Sequence, residues 1–116
     1  MYILNKIVIG GAAGLLRIER IPIIERGDIV IDPQFHTVKI AGEEVYLYPK
    51  EYEVLCFLAQ YPGWVLSSKQ IYSAVWNEEE GSYDTVVCNA VSKIRKKLNR
   101  PDLIERVWKY GYRFNG

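Results

Sequence analysis

The chain has 116 residues, of which 49% are apolar and 25% are charged, and its formal net charge is +1. This length and composition suit one compact domain with a real core and exclude a disordered chain. Two cysteines outside any Cys/His cluster argue against a disulfide framework and favour reduced thiols in the cytoplasm. With one histidine and no triad, phosphate loop or metal motif, we expect no catalytic residues, no metal and no cofactor.

The charged residues are distributed unevenly along the chain. Residues 1–40 carry +1, residues 41–84 carry −6 from two Lys/Arg and eight Asp/Glu, and residues 85–116 carry +6 from eight Lys/Arg and two Asp/Glu. The near-zero total argues against nucleic acid, but the basic C-terminal part keeps that partner open.

The N-terminus is apolar enough to raise the question of a membrane. Its longest charge-free run, residues 7–16, has ten residues, whereas a spanning helix needs roughly 20. A signal peptide remains an alternative for this run because Lys6 precedes it, but no disulfide-rich secreted domain follows. We therefore expect a cytoplasmic protein without membrane association.

Residues 23–47 predict a small antiparallel sheet. The runs "PIIERG", "DIVID", "HTVKI" and "EEVYL" read as four short strands with turn residues between them. "AGEE" at 41–44 is suited to a tight hairpin turn. Such a sheet needs another element to pack on.

The pattern then changes to that of helices. Pro49 suits the first turn of a first helix that stops at "PG", and Ser67 and Gln70 have the spacing of a capping box for a second helix at about 67–76. The apolar positions of the first helix share a face: Tyr52, Leu55, Leu58 and Ala59. The polar loop "NEEEGSYD" leads to a third helix at about 84–98, and "LIERVWKYGYRF" predicts two strands around a turn near Lys109–Gly111.

The third helix is expected to have one buried and one basic face. At about 100° per residue the buried stripe consists of Val87, Val91, Ile94 and Leu98. Nearly opposite lie Thr85, Asn89, Ser92, Lys93 and Lys96. No acidic residue lies between Thr85 and Arg100, so Lys93, Lys96, Lys97 and Arg100 are expected to repel one another unless phosphates neutralise them. The competing structural explanation is that these cations complement the helix dipole.

The second and third helices together predict a helix-turn-helix-like unit. Its second helix can enter the DNA major groove, where Asn89 suits adenine and Lys93 suits guanine. A ribbon with Lys109, Tyr110 and Arg113 is suited to the backbone or the minor groove. For the three aromatic residues of the predicted hairpin we expect packing within the hairpin at two of three positions: Trp108, Tyr110 and Tyr112.

Three segments, "LYPKEYEVLCFLAQYPGWVLSSKQIYSAVW", "TVVCNAVSKIRKKL" and "LIERVWKYGYRF", resemble the OmpR/PhoB-type winged-helix DNA-binding domain. That is the output domain of many bacterial two-component response regulators. The resemblance covers about residues 23–115. It implies an α+β winged helix-turn-helix fold with an N-terminal four-stranded antiparallel sheet, three helices and a C-terminal β-hairpin wing.

The resemblance also implies roles for individual residues. Trp76 resembles a tryptophan that approaches a phosphate through its indole N–H, and Arg113 resembles a wing arginine that enters the minor groove. Base-facing positions are implied for Asn89, Ser92 and Lys93. Backbone-contacting positions are implied for Thr85, Arg95 and Lys96. The loop at 77–84 corresponds to a segment that touches RNA polymerase in some members, although a solvated loop is an equal alternative.

Some features depart from the family pattern. Tyr48 stands where a Thr or Ser usually caps the first helix, and Lys109 and Tyr110 replace a common glycine and small apolar residue in the wing. Residues 1–22 are expected to be a tail or linker, in part a remnant of a receiver domain's last helix, with the DNA-binding domain at 23–116. A genuine short appendage or a dimer-forming strand is the alternative for the tail.

The sequence therefore predicts a non-enzymatic, sequence-specific DNA-binding domain of a bacterial transcription regulator. The third helix at about 84–98 is expected in the major groove and the wing at about 104–114 on the backbone or minor groove. Family members bind tandem half-sites, so we expect pairing of two copies on double-stranded DNA. The alternative is a winged helix whose basic face binds an acidic protein.

Overall fold

The computed structural model describes residues 7–10, 15–18, 22–78 and 80–116. Strands β1 (Ile7–Gly10) and β2 (Leu15–Ile18) pair antiparallel, with Ile7 opposite Ile18. Leu15–Ile18 is a strand, and the origin of the tail as a receiver remnant with its linker, or as an appendage, stays a prediction. Residues 1–6, 11–14 and 19–21 of the tail lie outside the described residues, and the domain boundary near residue 22 stays a prediction.

The N-terminal sheet has the four strands that the alternating runs predict. They are β3 (Ile24–Arg26), β4 (Ile29–Asp32), β5 (Thr37–Ile40) and β6 (Glu43–Val45), paired antiparallel in the order β3-β4-β5-β6. Ala41 and Gly42 have φ of 50° and 85° between the paired residues Ile40 and Glu43, as a two-residue hairpin turn requires. One face of this sheet is apolar and buried: Ile24, Ile29, Ile31 and Val38.

Helix α1 (Pro49–Ala59) packs against both later helices. Its N-cap residue, Tyr48, forms no side-chain cap, as its position in the sequence predicts. Instead the Tyr48 backbone N–H donates to the Glu51 carboxylate at 3.0 Å. The expected apolar face is buried, and Val54 and Cys56 are buried as well, so α1 is the central helix of the core.

Helix α2 (Ser68–Trp76) begins with the predicted capping box. The Gln70 N–H donates to Ser67 Oγ at 3.0 Å, and the Ser67 N–H donates to Gln70 Oε1 at 2.8 Å. Helix α3 (Tyr83–Leu98) follows and ends at Asn99, which has a left-handed φ of 54°. Two unpaired carbonyl groups of the last turn are capped there, because the Asn99 N–H bonds the carbonyl of Lys96 and the Arg100 N–H bonds that of Arg95.

The C-terminal hairpin belongs to a three-stranded sheet. Strands β8 (Ile104–Val107) and β9 (Gly111–Phe114) form the predicted wing, and the short strand β7 (Val65–Leu66) pairs with β9 to give the order β7-β9-β8. Gly111 has a φ of 137°, and a Cβ there would lie 2.0 Å from the Leu66 carbonyl oxygen. Glycine therefore allows the wing to lie against the segment that leads into α2.

Candidate nucleic-acid interface

Helix α3 separates its residues into the two faces that helical geometry predicts. The predicted stripe of Val87, Val91, Ile94 and Leu98 is buried, joined by Ala90. Five residues on the opposite side are exposed, and we call them the α3 outer face: Thr85, Asn89, Ser92, Lys93 and Lys96. Across the described residues, the side chains of this face make no hydrogen bond or ion pair with the rest of the chain. Its polar groups are thus available to a partner.

Two further cations of the helix end have acidic partners, contrary to the expected repulsion. Lys97 Nζ lies 2.7 Å from the buried carboxylate of Glu51 and 4.0 Å from the centroid of the Tyr48 ring. Arg100 pairs with Asp28 in the turn between β3 and β4. The Arg100 guanidinium, through this hydrogen bond, lowers the pKa of the Asp28 carboxyl. These pairs attach the end of α3 to α1 and to the N-terminal sheet.

Arg95 connects α3 to the wing. Its guanidinium donates to the Ile104 carbonyl oxygen through Nε at 2.8 Å and also through an Nη nitrogen. The side chain is half-buried, at the edge of the helix where its sequence position places it. The position of Arg95 suits it to hold β8 beside α3, and its contact with a DNA backbone stays a prediction.

The wing tip carries the exposed residues of the hairpin. The Tyr110 N–H donates to the Val107 carbonyl oxygen at 2.9 Å, and Lys109 has a φ of 72° between Trp108 and Tyr110. Trp108 and Tyr110 are 70% and 71% exposed, whereas Tyr112 is buried. The expectation that two of the three aromatics pack within the hairpin was wrong: residues 108–110 form the turn, where strand alternation does not apply.

Arg113 lies on the wing but away from the tip. Strand alternation puts it on the sheet face opposite the buried Tyr112 and Phe114. Its Nε and Nη2 atoms each lie 3.3 Å from Glu105 Oε1 on the neighbouring strand. The pKa of Glu105 is lowered by the Asn115 amide and by Arg113. Arg113 is therefore already paired, and its entry into a minor groove stays a prediction.

Trp76 ends α2 in a half-buried position. Its ring stacks on Tyr72 with centroids 5.4 Å apart, and the ammonium of Lys50 lies 5.9 Å from its centroid. The Tyr72 hydroxyl donates to Glu78 at 3.1 Å, so this stack also anchors the start of the loop at 77–84. The phosphate contact of Trp76 and the polymerase contact of the loop are not tested by this geometry.

Arg106 was not among the residues selected from the sequence. It lies opposite Tyr112 in the β8–β9 register, and its guanidinium carbon is 5.5 Å from the Trp108 ring centroid and 5.8 Å from that of Tyr112. It lines a groove of about 480 Å³ between the first turns of α2 and α3 and the wing. The alternation of side chains along β8 could have indicated this position from the sequence, because Arg106 lies two residues after the inward-facing Ile104 and is therefore on the same side of the strand.

Two features are absent from the described part of the chain, a candidate metal site and a candidate membrane span. It contains no group of three or more His, Cys, Asp or Glu residues that could hold a metal ion. None of its helices combines the length and apolarity needed to cross a bilayer.

The arrangement of three helices, a wing and an exposed polar helix face defines a winged helix-turn-helix domain. A family model described as "Transcriptional regulatory protein, C terminal" matches residues 42–114. The chain therefore belongs to this family, the OmpR/PhoB type recognised from its sequence, and the predicted fold is confirmed.

Similar proteins agree with this assignment. The transcriptional regulatory protein CutR of Streptomyces coelicolor is 38% identical over 92 residues, which are 79% of this chain and 42% of CutR. SrrA of Staphylococcus aureus is 37% identical over 97 residues, 79% of this chain and 40% of SrrA. The chain thus spans about two fifths of the length of these relatives.

A solved structure also matches. The RstA DNA-binding domain of Klebsiella pneumoniae, in complex with the RstA box, superimposes with a TM-score of 0.74 at 29% identity. The match covers 80% of this chain and 96% of the RstA chain.

Proposed function

We propose that this chain binds double-stranded DNA in a sequence-specific manner as the output domain of a bacterial transcription regulator. The observation that carries the proposal is the α3 outer face, exposed along the helix and polar throughout. Asn89, Ser92 and Lys93 lie where they could contact base edges in the major groove, and Thr85 and Lys96 lie where they could contact the backbone. The solved RstA complex with its box supports the same use of the fold.

The charge on this side of the molecule supports a phosphate partner. Within the described residues, four cations on the α3 outer face and wing have no acidic partner: Lys93, Lys96, Arg106 and Lys109. Each neutralised phosphate contributes about 0.9 to the log–log slope of affinity against salt. Four contacts therefore give a slope of about −3.6.

The experiment begins with selection of bound duplexes from a random library, which gives the site, the half-site spacing and the orientation. Fluorescence anisotropy on that site and on a scrambled duplex then separates two kinds of residue. We expect Asn89→Ala and Lys93→Ala to lower the preference for the selected site by about tenfold, since a bidentate base contact provides roughly 1–3 kcal/mol of discrimination. Lys96→Ala should weaken both duplexes equally and reduce the salt slope by about one.

The control removes the same charge elsewhere. Lys39 lies on the exposed side of β5 in the N-terminal sheet, so Lys39→Ala should leave the affinity for DNA and the salt slope unchanged. Equal behaviour of Lys93→Ala and the wild type on the selected site would contradict the assignment of α3 to the major groove. Undetectable duplex binding at low salt would instead favour a module that binds an acidic protein.

The same proposal extends to the whole protein's role. We propose pairing of two copies on tandem half-sites, a non-enzymatic action in the cytoplasm, and contact of the acidic loop at 77–84 with RNA polymerase. Glu78 and Glu80 are exposed in that loop, and the Tyr72 hydroxyl holds Glu78 near the end of α2. Cross-linking of the DNA-bound domain to polymerase, with Glu80→Lys as the variant expected to lose the cross-link, tests the loop.

A further inference from the structure

The wing tip exposes two large aromatic side chains that lie two residues apart in the turn. Trp108 and Tyr110 leave 70% and 71% of their surface in water, with Lys109 between them at the turn. Large aromatic side chains stabilise a protein or a complex most when they are buried, so a pair left exposed at one tip indicates a surface that a binding partner covers.

The tip is held in place by contacts at its base. Strand β9 pairs with β7 on one side and β8 on the other, and Gly111 lies directly against the Leu66 carbonyl. The Arg106 guanidinium lies over the Trp108 ring at 5.5 Å and over the buried Tyr112 at 5.8 Å. Tyr112 in turn packs beside α3, where burial and the neighbouring Cys88 raise its pKa. Contacts of the wing with α3 and with the segment before α2 thus fix the position of Trp108.

The turn itself is formed by an unusual residue. Lys109 has a φ of 72°, a left-handed conformation that residues other than glycine rarely adopt. A lysine at this place adds a cationic residue between Trp108 and Tyr110 in the turn. The acidic residue of β8, Glu105, is bound by Arg113 and Asn115 and faces away from Arg106 along the strand. The tip therefore combines apolar rings with uncompensated positive charge.

We propose that Trp108 and Tyr110 form a wedge that enters the minor groove beside the major groove occupied by α3, opens one base step and bends the duplex. This inference rests on the proposed function. Apolar side chains of minor-groove proteins act in this way, and the surrounding cations attract the phosphates that line the groove. Lys109 and Arg106 supply those cations, which distinguishes this tip from an apolar patch suited to a neutral protein surface.

The wedge has a consequence for the preferred DNA sequence. Pyrimidine–purine steps such as TA unstack most easily, so opening one of them costs less free energy than opening other steps. We therefore expect the selected site to carry such a step under the wing, because the free energy of opening the step then favours that sequence.

The test measures bending separately from binding. A duplex of about 30 base pairs with the selected site carries donor and acceptor dyes at its ends, and a second version carries 2-aminopurine at the step under the wing. Wild-type protein should bend the duplex by about 20–40° and raise the 2-aminopurine fluorescence. The double variant Trp108→Ala, Tyr110→Ala should abolish both signals and lower affinity about tenfold, as expected for the loss of base–aromatic stacking.

Two comparisons complete the design. Trp108→Phe keeps a ring and should retain most of the bend, while Tyr46→Ala removes an equally exposed tyrosine after β6 and should change nothing. Circular dichroism checks that each variant is folded.

The outcomes separate the two proposals. Binding of the selected site without a bend overturns the wedge and leaves the proposed function intact. The same follows from a bend that the double variant retains, or from a double variant that binds with wild-type affinity. Failure of the wild type to bind any duplex overturns both.

Discussion

Replacing Glu51 by glutamine removes one buried charge and keeps the shape of the side chain. Glu51 is 4% exposed, although it carries a carboxylate. It accepts hydrogen bonds from Lys97 Nζ at 2.7 Å and from the Tyr48 backbone N–H at 3.0 Å. Glutamine can still accept from Tyr48, so the substitution isolates the attraction between α1 and the end of α3.

The expected loss follows from the environment of the two partners. Removing one member of a fully buried ion pair costs roughly 3–5 kcal/mol. The Lys97 side chain is 31% exposed, so water can solvate its ammonium once the carboxylate is gone. We therefore expect Glu51→Gln to lower the free energy of unfolding by about 2 kcal/mol, or the melting temperature by about 8 °C.

Urea denaturation followed by tryptophan fluorescence measures this loss. The matched control is Glu53→Gln in the same helix, where Lys50 and Glu53, 49% and 28% exposed, form a pair at 3.5 Å. Surface pairs of this kind contribute little, and we expect a change below about 0.5 kcal/mol. A double-mutant cycle with Lys97→Met should give a coupling of at least about 1 kcal/mol. Equal effects of Glu51→Gln and Glu53→Gln would refute the argument that burial gives this pair its strength.

Three further predictions concern other parts of the fold. Gly111→Ala should destabilise the domain by at least about 2 kcal/mol in urea denaturation, since the added Cβ would lie 2.0 Å from the Leu66 carbonyl oxygen. The control Gly42→Ala, at a positive φ but with nothing within 4 Å of the added Cβ, should destabilise clearly less, and equal losses would contradict the clash. Iodoacetamide should label half-buried Cys88 in the native protein and Cys56 only after denaturation, because burial raises the pKa of Cys56 to about 12. Mass spectrometry of the two peptides measures the labelling, and modification of Cys56 in the native protein would be inconsistent with its buried position. Asp28→Asn should reduce the free energy of unfolding at neutral pH, because the hydrogen bond from Arg100 lowers the pKa of Asp28 below 3.8. The contribution of the pair is fully present above pH 3.8 and is lost as the pH falls through the folded pKa, so a difference between variant and wild type that does not shrink as the pH is lowered below 3.8 would argue against the pair.

Local patterns carried most of the prediction from sequence. The four strands, the turn at Ala41 and Gly42, the capping box of α2 and the two faces of α3 each follow from residues close together in the chain. Periodicity and turn chemistry are sufficient for such elements.

Features that join distant residues could not be predicted in this way. The pairs Lys97–Glu51 and Arg100–Asp28 span 46 and 72 residues, so the expected repulsion does not hold for these two cations, whose acidic partners lie on other elements. Strand β7 consists of Val65 and Leu66 and exists through its pairing with β9, so two residues gave no periodic signal. The exposure of Trp108 and Tyr110 depends on where the hairpin turns, which the sequence "VWKYG" does not specify.

The bonds among α2, α3 and the wing have a geometric consequence for any duplex that meets them as proposed. Arg95 joins α3 to β8, and β9 pairs with β7, which leads directly into α2. Helix α3 and the wing tip, the two parts proposed to enter neighbouring grooves, are therefore held at a fixed distance from each other. One extra base pair between the corresponding parts of a site adds about 3.4 Å and about 35° of rotation. Insertion of a single base pair should thus impair recognition as strongly as replacement of a contacted base.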